Sequence, residues 1–255
     1  MKRLPLALML FITVCISSFN KEDDITFSLG SKSCILKQTI IKPGAITLIA
    51  LHDNENTAVE AFHSWTEELN INLLELHQRG DRYLQYQCRN KVYEIDPNMI
   101  FTEAGIEKTL QRNNCNIPSD LKLNVKSFAD SLLRIFIDTE RKKYTIAVHN
   151  NSENNFSVLT YKNSKNARAV FISPEEDADD FFIVTDTTDF QYIKNMNLNV
   201  VLQSDEAEDD GSLSIYCQQN GIPYINIEAE HGHKAKQIDM IKVVYDLVNE
   251  KGRLQ

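Results

Sequence analysis

The chain has 255 residues, 25% of them charged and 42% hydrophobic, which fits one large globular domain or two small ones. Its 36 acidic residues against 27 basic ones give a formal charge of −9. That balance excludes nucleic acid as a partner, because phosphate binding needs clustered Lys and Arg.

Lys2 and Arg3 precede the apolar run LPLALMLFITVCI, and Ser17 and Ser18 follow it. This is the layout of a secretory signal peptide, and the run is too short for a comfortable membrane span. The expectation is removal of Met1 to Ser18, a mature charge of −11 once Lys2 and Arg3 are gone, and export to the periplasm or the medium. Acylation at Cys15 is the minor alternative, although Val14 is bulky where that processing prefers a small residue. No later segment reads as a membrane span. Cys34, Cys88, Cys115 and Cys217 remain after cleavage. Two disulfides or four free thiols fit equally, and the spacing selects no pairing.

Strands and helices then alternate. Residues 46–53 (ITLIALHD) read as a strand apolar on both faces, and 56–69 carry helical periodicity. Residues 82–88 and 91–96 read as strands. Residues 103–111 and 119–137 read as helices, the second with Ser119 as N-cap. Residues 143–150 form another buried strand, followed by short strands at 167–173, 181–185 and 199–203. A helix over 210–221 closes on Gly221, a strand covers 223–230, and a last amphipathic helix covers 236–250. This alternation predicts a single α/β domain whose sheet carries helices on both faces.

In such sheets, sites form at the carboxyl ends of strands. Three apolar strands here end in acid-base or metal-competent residues: LIAL in His52, TIAV in His149 and YINI in Glu228. A catalytic zinc site takes three ligands from His and carboxylates and keeps one position open. His52, Glu55 and His149 would supply two imidazoles and a carboxylate, with His52 and Glu55 on one turn. Glu228 or Glu230, two apart on one strand face, would act as general base.

Four segments in order carry a family resemblance. LHDNENTAVEAF (residues 51–62) resembles the first zinc motif of the zinc metallocarboxypeptidase superfamily, including its succinylglutamate desuccinylase and aspartoacylase relatives. IDPNMIFT (95–102) resembles that superfamily's Asp-x-Asn-Arg-x-Phe motif, IAVHNN (146–151) the strand with its second histidine, and GIPYINIEAE (221–230) the strand with its catalytic glutamate. The resemblance implies one zinc carboxypeptidase-like domain over residues 19–255, with a mixed, largely parallel β-sheet flanked by helices. It implies zinc as the metal, held by His52, Glu55 and His149. Glu228 matches the general base, with Glu230 as fallback. Asn98 matches a residue that helps hold a substrate carboxylate. Arg82, 16 residues before Asn98, lies where these enzymes place the arginine that polarises the scissile carbonyl, and it matches better than Arg89. The implied activity is cleavage of an amide bond in a peptide or N-acyl amino acid by zinc-activated water.

One departure matters. The motif's arginine is Met99 here. A guanidinium clamps a carboxylate through two parallel hydrogen bonds, and a thioether cannot. Either another cation such as Arg141 or Arg168 substitutes, or the substrate lacks that carboxylate, or the chain is a catalytically inactive zinc- or ligand-binding protein on the same scaffold.

Other residues read more simply. His231 and His233 are turn histidines around Gly232, and His63 with Glu67 is a surface pair. The acidic runs SPEEDADDFF and QSDEAEDDGS are solvated loops and caps, with Asp209 or Asp210 suited to the following helix N-terminus. Tyr216 and Tyr224 are core residues near Glu228. No nucleophile elbow or phosphate loop occurs, and Cys88 and Cys217 have no adjacent base.

Overall fold

The computed structural model describes residues 24–42, 46–65, 71–88, 90–113, 117–137, 144–153 and 155–253. The expected signal peptide, Cys115, Glu67 and Arg141 lie outside these. Among the described residues, no helix is long and apolar enough to cross a membrane.

The strands are β1 Ile25–Leu29, β2 Lys32–Thr39, β3 Ile46–Ala50, β4 Ile71–His77, β5 Leu84–Cys88, β6 Lys91–Ile95, β7 Thr145–Asn151, β8 Ala167–Phe171, β9 Phe181–Val184, β10 Val200–Gln203 and β11 Tyr224–Glu230. The helices are α1 Asn56–Trp65, α2 Glu103–Gln111, α3 Ser119–Phe136, α4 Thr187–Asn195, α5 Leu213–Gln219 and α6 Lys234–Arg253. Among the described residues, nine strands form one mixed sheet in the order β1-β2-β4-β3-β7-β11-β9-β10-β8, while β5 and β6 make a separate hairpin. The central run β4-β3-β7-β11 is parallel throughout. Antiparallel pairs flank it on both sides.

The protein is therefore a single α/β domain with a large mixed sheet flanked by helices, as the alternation predicts. Alternation of side chains along the central strands divides the core in two. Leu48, Ala50, Ile146, Val148, Ile225 and Ile227 pack on one face with α1, α4 and α6. Ile49, Leu51, Ala147 and Tyr224 pack on the other with α2, α3 and α5. Strands buried on both faces are continuous apolar runs for this reason.

Several local readings shift. The sequence leaves β1, β2, β4 and α4 unassigned; α4 is short and marked mainly by its cap, where Asp186 accepts from the backbone of Thr188 and Asp189. The N-cap of α3 is Pro118, not Ser119, which is the first helical residue; proline's fixed φ of −62° suits this flanking position. Ser212 caps α5, while Asp210 accepts from the Ser212 N–H at 2.9 Å, which is the service expected of that acidic run. Cys34, Cys88 and Cys217 are free thiols, and burial pushes the first and last up to about 12. Tyr224 is buried, as expected, and Tyr216 packs partly buried against the same cluster.

Candidate metal centre

The parallel register brings the three strand ends together. Glu228 pairs with His149 across β11 and β7, so both side chains leave the same sheet face. β3 lies on the other side of β7, and the chain turns directly after it through His52 to Glu55, where the Glu55 N–H donates to the His52 carbonyl at 3.1 Å. Asn150, next to His149, fixes the start of α1: its side-chain oxygen accepts from the Ala58 N–H at 3.0 Å. Its own N–H donates to Glu55 Oε2 at 3.1 Å.

His52, Glu55 and His149 are all buried and their ligand atoms converge. His52 Nδ1 lies 2.7 Å from Glu55 Oε1, and His149 Nδ1 lies 2.9 Å from Glu55 Oε2. The two Nδ1 atoms are 3.2 Å apart. Two nitrogens bound tetrahedrally at about 2.05 Å to one zinc ion would lie about 3.3 Å apart, so the two imidazoles are spaced for such an ion. The tautomers agree with this. His52 Nε2 lies 2.9 Å from Asp96 Oδ1, so with a metal bound Nε2 would donate there and Nδ1 would be the nitrogen left to ligate.

Electrostatics mark the same residues. Burial works against the charged form of His52, but Glu55 and Asp96 outweigh it and raise the imidazole to about 9. Burial likewise opposes ionisation of Glu55, yet His149 and His52 hold it well below the usual carboxylate range. Glu228 behaves in the opposite way. Burial pushes its carboxyl up, against His149 and with Glu55 adding to the rise. A low carboxylate beside a raised one is the pattern that separates an ionic ligand from a proton carrier. Glu228 Oε1 accepts from the Asn226 amide at 2.8 Å. Glu230, one strand repeat further out, instead stands 3.5 Å from His233 Nε2.

Arg82 reaches this centre. Its Nη1 lies 2.7 Å from Glu55 Oε1 and its Nε 3.8 Å from Asp96 Oδ2. The loop that carries it is pinned by the residue after His52: Asp53 Oδ2 accepts from the N–H groups of Gln78 and Gly80. Asn98 sits in a 3-10 turn over Pro97–Met99, and its side-chain oxygen accepts from the Leu213 N–H at 3.0 Å, tying that turn to α5. Arg168 lies on β8 at the edge of the sheet, with three strands between it and β7. Arg112 is a second cation beside the motif, 3.9 Å from Asp96 Oδ2. His63 is exposed and lies 3.9 Å from Glu75.

Asp96 is the residue that sequence reasoning left without a role, although its segment was singled out. Its signal was a carboxylate placed directly after the apolar end of β6, before Pro97. Asn150 and Asn226 were missed as well, because an asparagine in an apolar strand has no spacing signature.

No family model matches the sequence, and neither does any curated protein. Among solved structures, a succinylglutamate desuccinalase from Vibrio parahaemolyticus is 12% identical, with 91% of this chain and 78% of that chain covered and a TM-score of 0.45. Proteins provisionally assigned as metallopeptidases from Shewanella baltica and Shewanella denitrificans are 12% and 11% identical, with TM-scores of 0.42 and 0.43. Both matches cover 88% of this chain, and 86% and 84% of the other chains respectively. At TM-scores below 0.5 these likenesses assign nothing to this chain, whose site is read from its own residues.

Proposed function

We propose that this chain is an exported zinc-dependent hydrolase that cleaves an amide bond of a peptide or N-acyl amino acid, with Glu228 as general base. The observation that carries the reading is the approach of His52 Nδ1 and His149 Nδ1 to 3.2 Å over the two oxygens of Glu55, with buried Glu228 on the strand beside His149. Two imidazoles and a carboxylate suit zinc, which when bound supplies Lewis acidity and makes a water more acidic.

The chain's own residues then divide the remaining work. Glu228 takes a proton from the attacking water and returns it to the leaving nitrogen, so that a C–O bond replaces the C–N bond and no other reactant is needed. Its raised pKa suits both halves of that transfer. Arg82, 41% exposed, offers a guanidinium at the mouth of the site to the charge that develops on the carbonyl oxygen. Asn98, whose oxygen is committed to Leu213, offers its amide nitrogen to a substrate carboxylate. Export rests on the signal-peptide layout of the first 18 residues.

The second reading is a metal-binding protein that has lost catalysis on the same scaffold, and Met99 motivates it. Zinc-loaded protein assayed against a panel of N-acyl amino acids and peptides separates the two. Hydrolysis that falls by about 10²-fold or more in Glu228→Gln, with zinc retained, supports the enzyme. An unchanged rate in that variant sinks the base assignment. A zinc-loaded wild type that cleaves nothing in the panel supports the binding reading.

A further inference from the structure

Two features that read separately as solvated surface meet in the fold. The acidic loop between β8 and β9 reaches the His231-Gly232-His233 turn that joins β11 to α6. Asp177, Glu230 and His233 each present a ligand atom there, and these atoms lie within 4.8 Å of one another. The set includes an imidazole, and that imidazole is already oriented. His233 Nδ1 lies 3.1 Å from Oδ2 of Asp180, a buried carboxylate whose Oδ1 accepts from the Glu230 N–H at 2.8 Å. With a cation bound, donation from Nδ1 to Asp180 would leave Nε2 to ligate, and Nε2 stands 3.5 Å from Glu230 Oε2. A carboxylate behind the far nitrogen of a histidine is the arrangement that fixes tautomer and ring orientation in metal sites.

Two further observations lie beside the cluster. Asn151 pairs with Glu230 in the parallel register and so shares its sheet face, and its side-chain oxygen is buried with no hydrogen-bond partner among the described residues. In addition, three carboxylates, those of Asp177, Asp180 and Glu230, stand around one imidazole, and Lys236 is paired with Glu176.

We propose that Asp177, Glu230 and His233 form a second divalent-cation site, one strand repeat outward from Glu228 and separate from the His52-Glu55-His149 centre. One imidazole and two carboxylates suit a borderline cation of the zinc class. Calcium wants six to eight oxygens, which these residues do not supply. A cation here would cross-link the β8–β9 loop, the end of β11 and the start of α6. The Gly232 N–H already ties this turn to α1 through Thr57 Oγ1 at 2.8 Å.

The test is zinc stoichiometry by equilibrium dialysis of the full chain, stripped with chelator and titrated with Zn²⁺ alone. Wild type is expected to take up two zinc ions, and His233→Gln only one. Asp177→Asn, a mild change at an exposed position, should weaken the second ion by about tenfold or more. His149→Gln should also lose one ion while keeping the one that depends on His233. Equal uptake by wild type, His233→Gln and Asp177→Asn overturns the second site. Loss in His233→Gln without loss in His149→Gln keeps the second site and removes the first, so the two proposals fail separately.

Discussion

His52 Nε2 stands 2.9 Å from Asp96 Oδ1, and both side chains are buried. This contact decides which nitrogen of His52 would serve a metal, because a ligating imidazole is neutral and its one proton would go to Asp96. Asp96 is itself well anchored: its N–H donates to Thr109 Oγ1 at 2.9 Å, and Oδ1 also accepts from the Asn98 N–H at 3.0 Å. His52 hydrogen bonding and the nearby Arg82 outweigh burial and hold its carboxyl below the usual range.

If the centre holds zinc as proposed, replacing Asp96 with Ala should weaken it without touching a ligand. The expected loss is about 10- to 100-fold in affinity, the usual effect of removing the partner behind a metal-bound histidine. Competition against a chromophoric chelator measures it. Unaltered affinity would mean that Asp96 supports the fold and not the centre.

Gly105 on α2 faces the backbone of Gly211 at close range. A Cβ on Gly105 would stand 2.1 Å from Gly211 Cα and 2.6 Å from the Met99 carbonyl oxygen, and both obstacles are main chain. Alanine usually favours a helix over glycine by about 1 kcal/mol. Here Gly105→Ala should instead destabilise the protein by about 1–3 kcal/mol, because backbone segments must part. The Phe101 N–H to Gly211 carbonyl bond of 3.0 Å lies in the same contact. Urea denaturation reads the outcome, and a more stable variant would show that the two segments separate easily.

Asp186 gives a pH-dependent prediction. Its Oδ1 accepts from the Thr188 N–H at 2.7 Å and the Asp189 N–H at 3.2 Å, capping α4. Burial raises its carboxyl, but these bonds and Lys251 overcome that and lower it. A carboxyl depressed in the folded state contributes stability above its unfolded pKa of about 3.9, and that contribution is lost as pH falls through the folded value. Asp186→Ala should cost about 1 kcal/mol at neutral pH. The gap to wild type should begin to close as pH drops below about 4, where the unfolded chain takes up its proton, and should vanish only below the lowered folded value. Thermal melts across that range test it, and a gap that stays constant with pH would show that the carboxylate's charge is irrelevant to the cap.

Much of the centre was legible along the chain. Period and strand length made β3, β7 and β11 visible as apolar runs, because a strand covered on both faces must be apolar at every position. The polar residue at each run's end, His52, His149 and Glu228, then stood out against it. β1 and β2 gave weaker signals because their faces are only partly buried, whereas β4 is buried at nearly every position and is masked in sequence by Asn72 and Glu75 within its apolar run.

Other properties depended on packing between distant segments. The order β3-β7-β11 is a matter of pairing between strands far apart in sequence, and only that order sets Glu228 beside His149 and moves Glu230 outward to His233. The assignment of Nδ1 to His52 depends on ring orientation, which Asp96 and Glu55 impose from 44 and 3 residues away. The meeting of the acidic loop with the histidine turn depends on Asp180 reaching 53 residues along the chain to His233. Residue type and local period follow from each segment's own need to be buried or solvated. Which polar ends share a site follows from strand order and loop closure, which no local stretch encodes.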